Sequence, residues 1–452
     1  MDSRSTFSSR MGVVLATAGS AVGLGNLWRF SYVTGHNGGA AFVVIYIICV
    51  CLLGIPCMVG EFIVGRSQGA NAVRAYAKLP KANNWWGLVG ALGVLTSIII
   101  LGFYCVVAGW CLHYLGCALA DTIPNTSAES ATFFKNLNEN TWYPVIWGIV
   151  FLLLTHVVVR FGVKNGIERV SKYLMPVLLF LLFVLMVAAC SLPGAWRGVK
   201  FLFQPDWDCV NINTFIEALG QAFFSLSLGM TCLCTYASYF DKGTNLVLTA
   251  NQIAVLDTMV AVLAGLIIFP AAFAVGVEPD SGPGLVFVTL PGVFHTAFAE
   301  MPTMGFVLSV MFYALIVLAA LTSTISMHEV STAFFTEETK LSRPAAAWLT
   351  TIFTAVVTIP CALSQGLVPQ LSVNGMDLLS FLDSMSGNYF MPIGALLTCT
   401  VLGWIVPTDY VRREFVGSQK RVAVLFLPLI ILLRFVCPVF IIVVMLSKLG
   451  LL

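Results

Sequence analysis

Apolar runs long enough to cross a bilayer recur from one end of this chain to the other, and they restrict its fold more than any other feature. Eleven such segments lie at 11–33, 40–65, 87–120, 142–160, 166–192, 213–240, 245–277, 302–336, 344–365, 374–405 and 421–447. About 20 apolar residues carry a helix through the hydrocarbon core. Several runs are longer, so tilt is expected. Only 10% of the 452 residues are charged and 59% are hydrophobic, whereas soluble domains carry roughly 25% charged residues. The sequence therefore predicts an all-α polytopic membrane protein with eleven transmembrane helices.

The net charge of +2 implies neither a nucleic acid nor an acidic partner. The polar start, "MDSRSTFSSR", leads straight into a full-length span, unlike a cleaved signal peptide with its shorter apolar core. No G-x-x-x-x-G-K-[ST] loop is present, so no nucleotide drives this chain. HExxH is also absent, and the lone GxSxG match, GRSQG at 65–69, falls at the end of a long apolar run rather than at a strand-to-helix elbow, which counts against an embedded enzyme.

Lysine and arginine set the orientation. With the N-terminus inside, seventeen basic residues fall inside: Arg4, Arg10, Arg66, Arg74, Lys78, Lys81, Arg160, Lys164, Arg169, Lys172, Lys242, Lys340, Arg343, Arg412, Arg413, Lys420 and Arg421. Only Lys135, Arg197, Lys200 and Lys448 fall outside. The bias predicts a cytoplasmic N-terminus and an external C-terminus.

The first and sixth helices share an interruption. The first carries "GSAVGLGN" at mid-span, with Gly19, Gly23, Gly25 and Asn26. The sixth carries "FFSLSLGMT", Phe223 to Thr231. The two breaks are five helices apart, an odd number, so the second set of five is inverted relative to the first. Paired interrupted helices are the sequence pointer to an inverted-repeat transporter with its site at mid-membrane. Lipid offers nothing to backbone that leaves a helix. Ions and a polar substrate can satisfy it, because half-helix N-termini present N–H groups and C-termini present carbonyls. Glycine-lined helix contact is the competing reading of a single break.

Other polar residues lie within apolar runs. Arg29 follows the first break, and Asp383 in "SFLDSMSGNYFMP" is its natural partner. Glu61, near the inner end of the second helix, can accept hydrogen bonds from an unwound segment. Asp257, in the seventh helix, suits a cation. Ala319, Thr322 and Ser323 share one face of the eighth helix and offer oxygen ligands, although hydroxyls there often bond back to their own helix. Gly166 and Pro176 mark the fifth helix for a kink, either a hinge with water entry or a static bend. The thirteen cysteines lie mostly in apolar runs, where they act as small core residues. Cys232 and Cys234 lack a second pair at zinc spacing, and Cys209 alone falls in an external loop.

Four stretches, "GSAVGLGNLWRF", "GGAAFVVIYIICVCLLGIPCMVGEFIVGR", "QAFFSLSLGMTCLCTYASYF" and "LTSTIS", closely resemble the neurotransmitter:sodium symporter family with its LeuT-type fold. Eleven helices rather than twelve is similar to bacterial members that carry hydrophobic amino acids. The resemblance implies a 5+5 inverted repeat: a cytoplasmic segment with the inner gate at 1–10, the first repeat at 11–192, the second at 193–405, and the eleventh helix with a short external C-terminus at 406–452.

The same resemblance implies two sodium sites. One uses Ala21, Asn26, Ser225 and Asp257 with the substrate carboxylate. The other uses Gly19, Val22, Ala319, Thr322 and Ser323. It also implies a substrate site of Ser20, Ala21, Leu24, Gly25, Ile100, Tyr104, Phe224, Ser227, Met230, Ser323 and Met327. Monoamine carriers of the family have an aspartate where this chain has Gly23, so an amino acid is the implied substrate. The implied outer gate is Arg29 and Asp383 with Tyr104 and Phe224 beneath. The implied inner gate is Arg4 and Glu337 with Phe7 and Tyr239. Glu61 matches a brace for the sixth-helix break, and Gly166 with Pro176 matches a water-access motif.

There are departures. Ser31 stands where the family has proline. Asp257 stands where many members have asparagine, and Ala261 where chloride-independent members often carry an acid. Asp257 can supply that negative charge itself. The resemblance thus implies chloride-independent, sodium-driven import of hydrophobic L-amino acids through a bacterial cytoplasmic membrane, by a monomer or weak dimer. A sodium-dependent sensor or channel on the same fold, without coupled transport, remains the alternative.

Overall fold

The computed structural model describes residues 6–451 except 125, 141, 277–286, 289, 290, 299, 367, 369 and 418. Nine helices among the described residues are long and apolar enough to span a bilayer. In chain order, with the broken spans included, the elements are α1 (Arg10–Ala21), α2 (Gly25–His36), α3 (Ala40–Gln68), α4 (Asn84–Leu119), α5 (Tyr143–Arg160), α6 (Val163–Cys190), α7 (Ile212–Ser225), α8 (Cys232–Ala237), α9 (Leu246–Ala274), α10 (Pro302–Glu338), α11 (Arg343–Leu363), α12 (Leu378–Ile405) and α13 (Arg421–Lys448).

The two predicted interruptions are both real breaks. Helices α1 and α2 together make one span bent by 53°. Val22 ends α1 with extended backbone, and α2 begins with a π-helical turn, Gly25–Arg29. The second broken span is α7 with α8, each too short to cross alone. Between them Ser227, Gly229 and Thr231 all have positive φ. A non-glycine residue adopts such backbone only where its surroundings impose it. Among the described residues, the nine unbroken spans and the bent α1–α2 pair make ten crossings; α7 with α8 corresponds to the sixth of the eleven segments read from the sequence.

The apolar pattern explains the packing. Helix α4 runs through the middle of the bundle against α5, α10 and α11. Small residues let the backbones approach: a Cβ at Gly109 of α4 would stand 2.6 Å from the Gly148 nitrogen of α5. Large apolar side chains such as Phe180, Val255, Val356 and Leu427 point outward, as residues facing lipid do. The buried interior holds serines, threonines and carboxylates, and Asn26, Glu61, Ser225 and Asp257 are among those beside the two breaks.

Candidate functional site

The second break is held from three directions. Glu61 of α3 accepts the Gly229 N–H at 2.7 Å and the Cys234 N–H at 3.2 Å, so one buried carboxylate caps two freed backbone donors. Ser97 of α4 donates to the Met230 carbonyl at 2.9 Å. Helix α12 closes against it, since a Cβ at Gly394 would meet the Gly229 carbonyl. The first break is tied to the second: Gln221 Nε2 donates to the Gly25 carbonyl at 3.0 Å, and Ser227 Oγ to the Ser20 carbonyl at 3.1 Å.

Beside the joined breaks lies a cage of oxygens. The Asn26 Nδ2 amide faces Ser225 Oγ at 3.0 Å, the Asp257 carbonyl at 3.1 Å and Asp257 Oδ1 at 2.7 Å. Ser225 and Tyr46 both donate to Asp257 Oδ2, at 2.8 and 3.1 Å. All four side chains are buried. The centre of the cage is thus an electropositive group ringed by oxygens, one of them an ionisable carboxylate. A hard cation requires that kind of donor set.

A second oxygen cluster forms where α10 passes the end of α1. Thr322 Oγ1 lies 3.2 Å from the Val22 carbonyl and 2.9 Å from the Ala319 carbonyl. Ser323 Oγ lies 3.1 Å from Val22 O and 3.4 Å from Ser20 O. Gly19 is packed against Thr322, 3.3 Å from an added Cβ to the threonine Cβ. The sequence had set these five residues apart by 300 positions; the structure gathers them.

Between the clusters is a small cavity. Ser20, Ala21, Gly25, Ile100, Tyr104, Phe224, Ser227, Met230, Ser323 and Met327 line it, together with Gly23 and Met391. Leu24 contributes its backbone, whose N–H donates to the Tyr104 hydroxyl at 2.7 Å. One end of the cavity offers backbone at a half-helix start and the Tyr104 hydroxyl; Ser20, Ser227 and Ser323 add oxygens, and Ile100, Phe224, Met230, Met327 and Met391 make the apolar part. Gly23 matters sterically, because a Cβ there would stand 2.7 Å from the Tyr104 oxygen.

The ends of the pathway differ. On the side away from the N-terminus, Arg29 and Asp383 line a wide cavity together with Tyr32, His36 and Lys448. Among the described residues no ion pair within 4.0 Å joins Arg29 to Asp383. Instead the Arg29 guanidinium sits over the Phe224 ring, 4.5 Å from its centroid. The expected pair is thus brought to one cavity but stands open.

The N-terminal side is packed shut. Phe7 meets Tyr236 and Tyr239 edge-on at 6.1 and 6.2 Å. The Tyr239 hydroxyl donates to Glu329 at 2.6 Å, and the buried Glu329 pairs with the half-buried Arg343 at 2.5 Å. Glu337 accepts from Asn71 N at 2.8 Å and Nδ2 at 3.0 Å. Arg4, the expected partner of Glu337, lies outside the described residues. Glu168 of α6 holds the start of the chain by accepting Ser8 N at 2.8 Å and Ser8 Oγ at 2.6 Å. Gly166 sits in a π-helical turn, Val163–Glu168, two residues earlier, and Pro176 lies inside the following helix.

The sodium:neurotransmitter symporter family model matches residues 4–144 and 144–451. The chain belongs to that family. Relatives of this symporter agree along its whole length. The sodium-dependent transporter YhdH of Bacillus subtilis is 37% identical over 448 residues, covering 99% of this chain and 98% of its own. A sodium-dependent transporter of Haemophilus influenzae is 33% identical over 458 residues, with the same two coverages. Among solved structures, MhsT in complex with L-phenylalanine superposes with a TM-score of 0.89 at 39% identity, covering 98% of this chain and 100% of that one. The symporter is therefore a multi-pass, sodium-dependent transporter of the LeuT-type fold, and not an enzyme.

Sequence reasoning missed several participants. Glu329 carried a usable signal, a carboxylate inside a long apolar helix. Glu168 lay beside the noted Gly166. Tyr46, Gln221 and Met391 gave none, because an aromatic, an amide or a thioether in an apolar run reads as packing until the partner helix is known.

Proposed function

We propose that this symporter imports hydrophobic L-amino acids by alternating access, with two Na⁺ per substrate and no need for chloride. The observation that carries the reading is the Asp257 carboxylate, buried against Asn26, Ser225 and Tyr46 next to the cavity where Leu24 N–H meets Tyr104. Gly23 leaves that end of the cavity free for a substrate carboxylate. The carboxylate takes the Tyr104 hydroxyl and the Leu24 and Gly25 N–H groups, and its second oxygen completes the coordination of the ion between Asn26, Ser225, Asp257 and the Ala21 carbonyl. The ammonium takes carbonyls at the two breaks, around Ala21, Phe224 and Ser227. The side chain lies among Ile100, Phe224, Met230 and Met327, where the methionines adapt to shape. The second ion sits between Gly19, Val22, Ala319, Thr322 and Ser323.

A zwitterion carries no net charge, so the ions supply the electrical drive. Each Na⁺ moving inward through 100 mV contributes about 2.3 kcal/mol. Two contribute about 4.6 kcal/mol, enough for more than three decades of accumulation. The orientation follows the basic residues: N-terminus and the Phe7–Tyr239 closure inside, the Arg29–Asp383 cavity outside, in a bacterial cytoplasmic membrane. The repeats at 11–192 and 193–405 rock about the fixed site, and the unit of function is a monomer or weak dimer. Glu61 and the Gly166–Pro176 segment act as brace and water path.

The test is equilibrium binding of labelled L-phenylalanine to purified protein, with Na⁺ exchanged for K⁺ and chloride for gluconate. The reading requires binding lost in K⁺ and unchanged in gluconate. Loss in gluconate overturns chloride independence.

A further inference from the structure

Three cysteines meet inside the bundle. Cys57 of α3, Cys399 of α12 and Cys437 of α13 are all buried, and their sulfur atoms lie within 4.8 Å of one another. The Cys57 and Cys399 sulfurs are 3.6 Å apart. A metal–sulfur bond of about 2.3 Å places three sulfurs in a trigonal plane about 4.0 Å apart. The observed spacing brackets that value, so an ion can enter with shifts of a few tenths of an ångström.

Two further observations single out this cluster. Each cysteine lies beside a π-helical turn: Val50–Gly54 just before Cys57, Val401–Ile405 just after Cys399, and Leu432–Val436 immediately before Cys437. Such turns are rare and concentrate at functional positions. The second observation is Arg434, one turn before Cys437. Its guanidinium donates to the Gly403 carbonyl at 2.5 Å and to Thr408 Oγ1 at 2.8 Å and lies against Trp404. No carboxylate pairs with it within 4.0 Å among the described residues. The bond from Arg434 to Gly403 ties α13 to α12, the two helices that carry Cys437 and Cys399.

We propose that Cys57, Cys399 and Cys437 form a three-sulfur site for one soft closed-shell metal ion of the Cu(I) class. Thiolate sets select soft ions. Zinc is disfavoured, because structural zinc takes four ligands and among the described residues no fourth His, Cys, Asp or Glu joins the group. Each ligating thiol releases its proton to solvent on binding. The site ties α3, α12 and α13 together near the second break. Cys57 is one turn from Glu61, which caps that break, and Cys399 follows Thr398, whose hydroxyl meets Tyr76 at 2.6 Å. A bound ion braces the wall on which the broken span leans.

The experiment loads purified protein, reconstituted in nanodiscs under anaerobic conditions, with Cu(I) from a chelator-buffered solution. Metal content is measured by mass spectrometry and the coordination shell by X-ray absorption. The wild type is expected to retain one copper per chain with three sulfur neighbours. Cys57→Ala, Cys399→Ala and Cys437→Ala each lose it, while Cys190→Ala and Cys209→Ala keep it. Size-exclusion profiles confirm that each variant is folded, and Cys57→Ser, similar in volume but a poor ligand for a soft ion, serves if an alanine variant fails. Copper retained equally by the three triad variants, or a wild type that retains no more than the triple variant, overturns the site.

Discussion

Asn26 and Asp257, 231 positions apart in the chain, are joined by a buried 2.7 Å hydrogen bond from Nδ2 to Oδ1. In the proposed mechanism this cage makes Asp257 the residue through which sodium and substrate communicate. Coupling between two ligands is reciprocal and typically spans about 5- to 150-fold. Asp257→Ala should therefore weaken sodium and substrate binding together, each by a factor in that range. The check is substrate affinity at several sodium concentrations. Affinity that stays sodium-dependent in the variant contradicts the assignment.

Replacing the same carboxylate by its neutral isostere separates charge from shape. Asp257→Asn keeps the contacts to Asn26 and Ser225 but removes the fixed negative charge. Uptake by this variant is expected to become stimulated by chloride, while the wild type is indifferent. Indifference in both proteins would mean that the charge comes from elsewhere.

Gly23 tests the substrate class. A side chain there runs into Tyr104 and Ser323, and an aspartate adds a negative charge where the substrate carboxylate is proposed to bind. Gly23→Asp should abolish amino acid binding, a loss of at least 100-fold by calorimetry, while the protein elutes as the wild type does.

Glu61 bears on stability. Removing its carboxylate strands the Gly229 and Cys234 N–H groups in an apolar interior, and each unsatisfied donor costs about 1–3 kcal/mol. Glu61→Ala should therefore lower the unfolding temperature in detergent by several degrees. Glu61→Gln, which keeps one acceptor, should lose less.

Glu168 bears on the closed side. Its carboxylate anchors Ser8 and Lys172. Glu168→Gln should release the chain around Ser8 and speed amide exchange there and in the first turn of α1, without changing exchange in α13. Unchanged exchange at residues 6–12 would show that aromatic packing at Phe7 suffices.

The spans, both breaks and their pairing were legible because lipid makes polarity and glycine conspicuous. Asn26, Ser225 and Asp257 stood out for the same reason, whereas Thr322 and Ser323 gained weight only from the family resemblance. What the sequence hid was contact between distant helices. Tyr46 reads as one more aromatic until α3 is laid against α9. The three clustered cysteines read as small core residues, since nothing in their spacing along the chain foretells a common point. The Arg29–Asp383 pair shows the opposite limit: shared placement was foreseeable, but the Arg29 guanidinium sits over Phe224 instead of pairing with Asp383.

The account rests on sodium coupling, and accumulation measures it directly. Labelled L-phenylalanine uptake into proteoliposomes should rise well above equilibrium under an inward sodium gradient with the interior negative, and collapse when the gradient is abolished. Sodium-dependent binding with uptake that never exceeds equilibrium would contradict symport and leave a sensor or channel built on the same two broken helices.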